Sequence, residues 1–187
     1  MVSKQKLLKV GKLLLLIWGA ISLLGVIVIG GYTYYTLTWG NKTEINTATK
    51  SDVRFVLNWC GLGDDRIENV VNSYTSAQSF TGDYLDAYEI QISNVSIDEL
   101  TKKGENEILS AKFYRMDNLP EVLNEAVTFV DGWHHEIPWF PKEYELRTKD
   151  FFVYPRRINC YGLTPNAAEL IFINPAEKKV YYLGTKM

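Results

Sequence analysis

The chain has 187 residues, 47 % of them hydrophobic and 22 % charged, with 20 basic and 22 acidic side chains and a formal net charge of −2. That balance excludes the broad basic surface that nucleic acid or a polybasic lipid contact demands. Four of the basic residues precede Leu13 and every acidic residue lies at or beyond Glu44, so the chain past the first apolar run carries a formal charge of −6.

That run, Leu13–Tyr35 (LLLLIWGAISLLGVIVIGGYTYY), is the first element. About 20 apolar residues suffice to cross a bilayer, and the run lacks the polar stripe of a water-soluble helix. Lys4, Lys6, Lys9 and Lys12 stand before it, and a lysine-rich short flank stays in the cytoplasm. Tyr32, Tyr34, Tyr35 and Trp39 suit the headgroup level at the other end. The expected layout is a cytoplasmic segment (1–12), a transmembrane signal-anchor helix (13–35) and a body exported across the inner membrane, periplasmic or extracellular. A cleaved signal peptide is the competing reading. The run is longer than an h-region of about 7–15 residues, and YTYY occupies the place of a small-residue cleavage motif.

Residues 36–50 read as a polar linker and residues 51–187 as one α+β domain. Ser51 is the expected N-cap of a helix whose apolar face is Val53, Val56, Leu57 and Cys60, closed by Gly61 and Gly63. A second helix is expected from Asp65, with Glu68 as capping-box partner and Ile67, Val70, Val71 and Tyr74 inward. Tyr84–Ser93 alternates as a half-buried strand. Ser96 opens a short helical turn ending near Gly104. Glu107–Arg115 alternates again. Asn118, Pro120 and Glu121 open a helix with Val122, Leu123, Ala126, Val127 and Val130 inward. Phe151–Arg157 is a strand, and Glu169–Ile173 with Lys179–Leu183 form a hairpin around Asn174 and Pro175. The sum is an antiparallel sheet of about five strands with three to four helices on one face.

The two cysteines, Cys60 and Cys160, both lie in the exported part, and an even count in an oxidising compartment predicts a disulfide. Two buried free thiols are the alternative.

The densest polar and aromatic segment is Asp131–Pro141, DGWHHEIPWFP, which holds both histidines. His134 or His135, assisted by Asp131 or Glu136, could serve acid–base chemistry. Adjacent histidines do not share a helix face, so the spacing argues against a metal site. Trp133, Trp139 and Phe140 are either anchors for a protein partner or rings packed on the core. Arg156 and Arg157 could grip an anion bidentately. No nucleophile elbow, HExxH, P-loop or dinucleotide motif is present, and no cofactor is expected. The sequence therefore predicts a single-pass protein whose partners are the bilayer and another protein, an accessory subunit of an envelope complex or an immunity-type binder. The alternatives are an anchored envelope enzyme centred on His134, His135 and Glu136, or a sensor of anionic ligands using Arg156 and Arg157.

Overall fold

The computed structural model describes residues 4–38, 41–79, 81–102, 112–162 and 164–187. Helix α1 (Lys4–Thr38) forms one compact unit with its flanks, and residues Thr43–Met187 form a second. Within α1, the 28-residue stretch Lys9–Thr36 holds a run of 18 residues with a mean hydropathy of 2.7, none of it buried. At a helical rise of about 1.5 Å per residue that stretch is about 42 Å long, more than the roughly 30 Å of a hydrocarbon core. Near its C-terminal end, the Thr33, Thr36 and Thr38 hydroxyls donate back to the carbonyls of Ile29, Tyr32 and Tyr34. That satisfies side-chain groups with no water needed. Trp39 lies outside the described residues.

Among the described residues the second unit is built on seven antiparallel strands: β1 (Glu44–Ile45), β2 (Ile67–Thr75), β3 (Tyr84–Ile92), β4 (Tyr114–Arg115), β5 (Phe152–Tyr161), β6 (Thr164–Asn174) and β7 (Lys179–Lys186). Their order across the sheet is β1-β2-β3-β7-β6-β5-β4. The fold is α+β, as the sequence predicts, with two strands more than expected. Of the strand expected over Glu107–Arg115, β4 is the described end, and residues 107–111 lie outside the described residues. The end of the turn near Gly104 lies outside them too.

Both faces of the sheet are covered, which corrects the expectation of helices on one face. Helix α2 (Lys50–Trp59) lays Val53, Val56 and Leu57 on one face, against Ile90, Ile92, Ile171, Ile173 and Val180. The short helix α3 (Ile97–Lys102) follows Ser96, whose Oγ accepts from Glu99 N–H, and adds Leu100 to the same core. Helix α4 (Glu121–Asp131) lays Leu123, Ala126, Val127 and Val130 on the other face, against Ala87, Leu170, Phe172 and Leu183. Burying each such Leu, Ile or Val side chain stabilises by roughly 1.5–3 kcal/mol. Strand β3, expected to be half-buried, is therefore buried on both sides, and even Glu89 is only 5 % exposed. Val122, expected inward, is 55 % exposed.

The second expected helix is strand β2. Ile67, Val70, Ser73 and Thr75 pair with Ile92, Ile90, Tyr88 and Asp86, all on the α2 side. Two bulges, between Ile67 and Asn69 and between Val70 and Asn72, stretch the inward spacing from two residues to three. That spacing imitates the i, i+3 pattern of a helix. The pair Asp64 and Asp65 opens only a 3-10 turn, Asp64–Arg66.

Caps shift as well. Thr49, not Ser51, precedes α2, and its backbone N–H and hydroxyl both donate to the Asp52 carboxylate, at 2.8 and 2.7 Å. Pro120 is the N-cap of α4. Asn174 shapes the β6–β7 turn as expected, in the manner of asparagine at turn starts. Its Oδ1 accepts from Glu177 N–H at 3.2 Å.

The predicted disulfide is absent: Cys60 and Cys160 are separate thiols. Cys60 sits at the end of α2, 4 % exposed, with its Sγ donating to the Leu57 carbonyl. Cys160 is exposed near the end of β5, opposite Pro165. Cys60 belongs to the buried core under α2 and Cys160 to the surface, so the two thiols belong to different environments.

Candidate functional site: the aromatic cleft beside the β6–β7 turn

The segment after α4 folds back in successive tight turns. Trp133 N–H donates to Val130 O, His134 N–H to Asp131 O, Glu136 N–H to Trp133 O and Phe140 N–H to Ile137 O. The excursion is closed where Glu143 N–H donates to Asp131 Oδ1 at 2.8 Å, at the start of the one-turn helix α5 (Glu143–Leu146). Arg147 then clamps α5 to α4: its Nε donates to Glu143 Oε1 and its Nη1 to Asn124 Oδ1, both at 2.6 Å.

This segment and the β6–β7 turn border an open cleft of about 630 Å³, within the range of about 300–1,000 Å³ usual for ligand sites. His134, Trp139 and Phe140 line it, joined by Tyr144 and Tyr181. Phe140 is a core side chain, 5 % exposed, meeting Phe172 and Tyr181 edge-on at centroid distances of 6.0 and 5.8 Å. It holds the cleft floor and is no free anchor. Trp139 packs partly on the same cluster, 6.0 Å from Phe140. Tyr144 is 69 % exposed. The polar lining is acidic on balance: Glu145, Asp150 and Glu177 against Lys142. Asp150 and Glu177 are exposed. Neither has an ion-pair partner among the described residues.

The two histidines part company. His134 has its Nδ1 buried without a hydrogen-bond partner among the described residues, beside a small cavity of about 10 Å³ lined also by Val130, Ile137 and Leu146. His135 is exposed; its Nδ1 lies 3.2 Å from Gly132 O and its Nε2 3.6 Å from Glu136 Oε1. Glu136 turns to the sheet, where Oε2 accepts from the Tyr74 hydroxyl at 2.7 Å. Burial and the Glu136 carboxylate push the Tyr74 phenol up to about 12, since both disfavour the phenolate. His135 and Glu136 are not among the residues that line the cleft with His134. Trp133 packs on the α4-side core. Among the described residues no three His, Cys, Asp or Glu side chains gather as a metal-binding group.

Arg156 and Arg157 lie elsewhere. The β5 bulge between Pro155 and Arg157 makes them neighbours at one edge. The Arg156 guanidinium sits 5.0 Å from the centroid of the Trp59 ring, within reach of a cation–π attraction. Arg157 Nε donates to Asn159 Oδ1 at 3.3 Å. Both arginines line a groove of about 360 Å³ with Val122, Leu123, Pro155 and Ile158, which shares no residue with the cleft.

Comparison of the chain with protein-family models, with curated proteins and with solved structures finds no match in any of the three. The cleft therefore stands on its own chemistry. Sequence reasoning reached His134, Trp139 and Phe140 through local density of aromatic and imidazole groups. It missed Tyr144, Glu145, Asp150 and Glu177, which follow no motif and meet only because the β6–β7 turn returns beside α5.

Proposed function

We propose that this chain is a single-pass membrane protein, anchored by α1 with its lysine-rich end in the cytoplasm, whose 43–187 domain binds a protein partner on the far side of the membrane. The observation that carries the reading is the uncovered apolar surface of Lys9–Thr36 on a chain whose other unit has a complete core of its own. Exposing that much apolar surface to water is unfavourable at roughly 25 cal/mol per Å², and a bilayer removes the cost. A partner-binding role rests on the open aromatic cleft held on a rigid sheet. An accessory subunit of an envelope complex and an immunity-type binder both fit this description.

Cys160 offers a direct test, because it is exposed while Cys60 is buried. The chain is expressed in a Gram-negative cell, and membranes are extracted with alkaline carbonate. The protein is expected to stay in the pellet. Spheroplasts are then treated with a membrane-impermeant maleimide, and Cys160 is expected to react without permeabilisation. Release into the carbonate supernatant overturns the anchor. Labelling only after lysis overturns the orientation. In-cell photocrosslinking from position 144, followed by mass spectrometry, is expected to yield one stoichiometric protein adduct.

A further inference from the structure

We infer that the cleft takes a basic segment of a protein partner, holding a lysine or arginine side chain between Tyr144 and the carboxylates of Asp150 and Glu177. The inference rests on the binding role above and names its chemistry. Three observations converge on it. The carboxylates of Glu145, Asp150 and Glu177 outnumber the single cation Lys142 among the lining residues. Two of the three are uncommitted: Glu145 caps α5 by accepting from Lys142 N–H at 2.8 Å, whereas Asp150 and Glu177 are exposed and have no ion pair among the described residues. Tyr144 and Trp139 add π faces to the lining, to which a guanidinium or ammonium group is attracted.

The alternatives fit less well. A neutral glycan would desolvate the carboxylates without neutralising them, and that costs free energy. An anion would meet a net negative rim. A cation neutralises the carboxylates and stacks on the rings in one step. The floor is rigid, because Phe140 is locked between Phe172 and Tyr181 and Arg147 ties α5 to α4. A rigid site loses less entropy on binding. The acidic balance of the whole domain favours the approach of a basic partner in addition.

The test uses the full chain in phosphatidylcholine nanodiscs, whose neutral surface does not itself attract the probe. The probe is a fluorescein-labelled nonapeptide of alternating Arg and Ser, and the control is the same peptide with every Arg replaced by Gln. Anisotropy titrations are run at low and at 300 mM salt. The Arg peptide is expected to bind and the Gln peptide is not, with affinity falling at high salt. Asp150→Asn with Glu177→Gln is expected to weaken binding at least tenfold. Tyr144→Ala is expected to weaken it severalfold. Both carboxylates and Tyr144 are exposed, so these variants are expected to melt like the parent, and the melts are recorded. Glu121→Gln with Glu125→Gln, on α4 and outside the cleft, is expected to bind like the parent. Failure of the Arg peptide to bind the parent, equal binding of the Gln peptide, or unchanged binding by the cleft variants overturns the inference. Binding of chitotriose that the Asp150 and Glu177 changes abolish would assign a glycan instead and overturns it equally. None of these failures bears on the anchor, which carbonate extraction reads separately.

Discussion

The hydroxyl of Tyr182 lies over Gly184, two residues along the same strand, so closely that a methyl group at position 184 would overlap both the oxygen and the ring. The overlap matters because of what flanks it. Thr75, Asp86, Gly184, Glu169 and Arg157 stand in register on five neighbouring strands, β2, β3, β7, β6 and β5, and form one row across the sheet. Facing residues of paired strands point to the same side. The missing side chain at Gly184 therefore leaves a gap between two carboxylates, and the Tyr182 ring fills it. The Tyr84 hydroxyl donates to Glu169 Oε1 at 3.2 Å at the edge of this group.

Gly184→Ala is expected to destabilise the domain by about 1–3 kcal/mol, the usual cost of overpacking a filled site. The measurement is the urea midpoint at constant m. Tyr182→Leu in the Gly184→Ala background is expected to recover part of the loss, because it removes the ring that the methyl meets. An unchanged midpoint in the single variant would show that the ring moves aside freely.

Asp86 makes stability depend on pH. Burial is the main cause that pushes its carboxyl up to about 6; Glu169 adds to the rise and the Thr75 hydroxyl opposes it. Desolvation and a like charge both disfavour the ionised form. An unfolded Asp titrates near 4. Ionisation is thus harder in the folded state, and the penalty grows as pH rises from about 4 through about 6. Asp86→Asn is expected to stabilise at pH 7 by on the order of 1 kcal/mol, a figure reduced for partial exposure. The gain is expected to vanish below pH 4. Melting temperatures of parent and variant from pH 4 to 8 decide the matter; parallel curves would remove Asp86 from the account.

Glu89 is buried, yet it is held by charge. Lys179 Nζ lies 2.8 Å from its Oε1, and Asn72 donates to its Oε2. The contact with Glu89 raises the Lys179 ammonium above its ordinary value, and burial opposes the rise. Lys179→Met leaves the carboxylate without its cation, and a loss of about 2–4 kcal/mol is expected. Glu89→Leu with Lys179→Met is expected to cost less than Lys179→Met alone. A double variant no better than the single would mean that Asn72 and the Tyr181 hydroxyl, which donates to Glu89 Oε1 at 3.5 Å, suffice for the carboxylate.

The two thiols give a chemical check on the fold. One equivalent of maleimide is expected to react with the native chain, at Cys160, and a second only after denaturation, at Cys60. No shift on a non-reducing gel is expected. Failure of Cys160 to react until a reductant is added would restore the disulfide.

Much of this architecture is legible from neighbours in sequence. The α1 run, the α4 stripe from Leu123 to Val130 and the Asn174–Pro175 turn all announce themselves within about a dozen residues, because a helix face, a membrane span and a tight turn are local objects. Strand β2 is illegible for a physical cause: its two bulges shift the inward residues to a spacing of three. The cleft was half legible. His134, Trp139 and Phe140 stand out as a cluster, whereas Asp150 and Glu177 are ordinary surface carboxylates until the sheet folds.

By itself the sequence determined the apolar helix, the acidic balance of the rest and the α+β class, since hydropathy and periodicity act over short stretches of chain. Only the tertiary structure decided that both faces of the sheet are covered, that Cys60 and Cys160 stay apart, that Phe140 is core and Tyr144 surface, and that Asp86 and Glu169 flank Gly184. These are pairings between residues tens of positions apart. Strand register and packing choose them, and no local pattern of residue types encodes that choice.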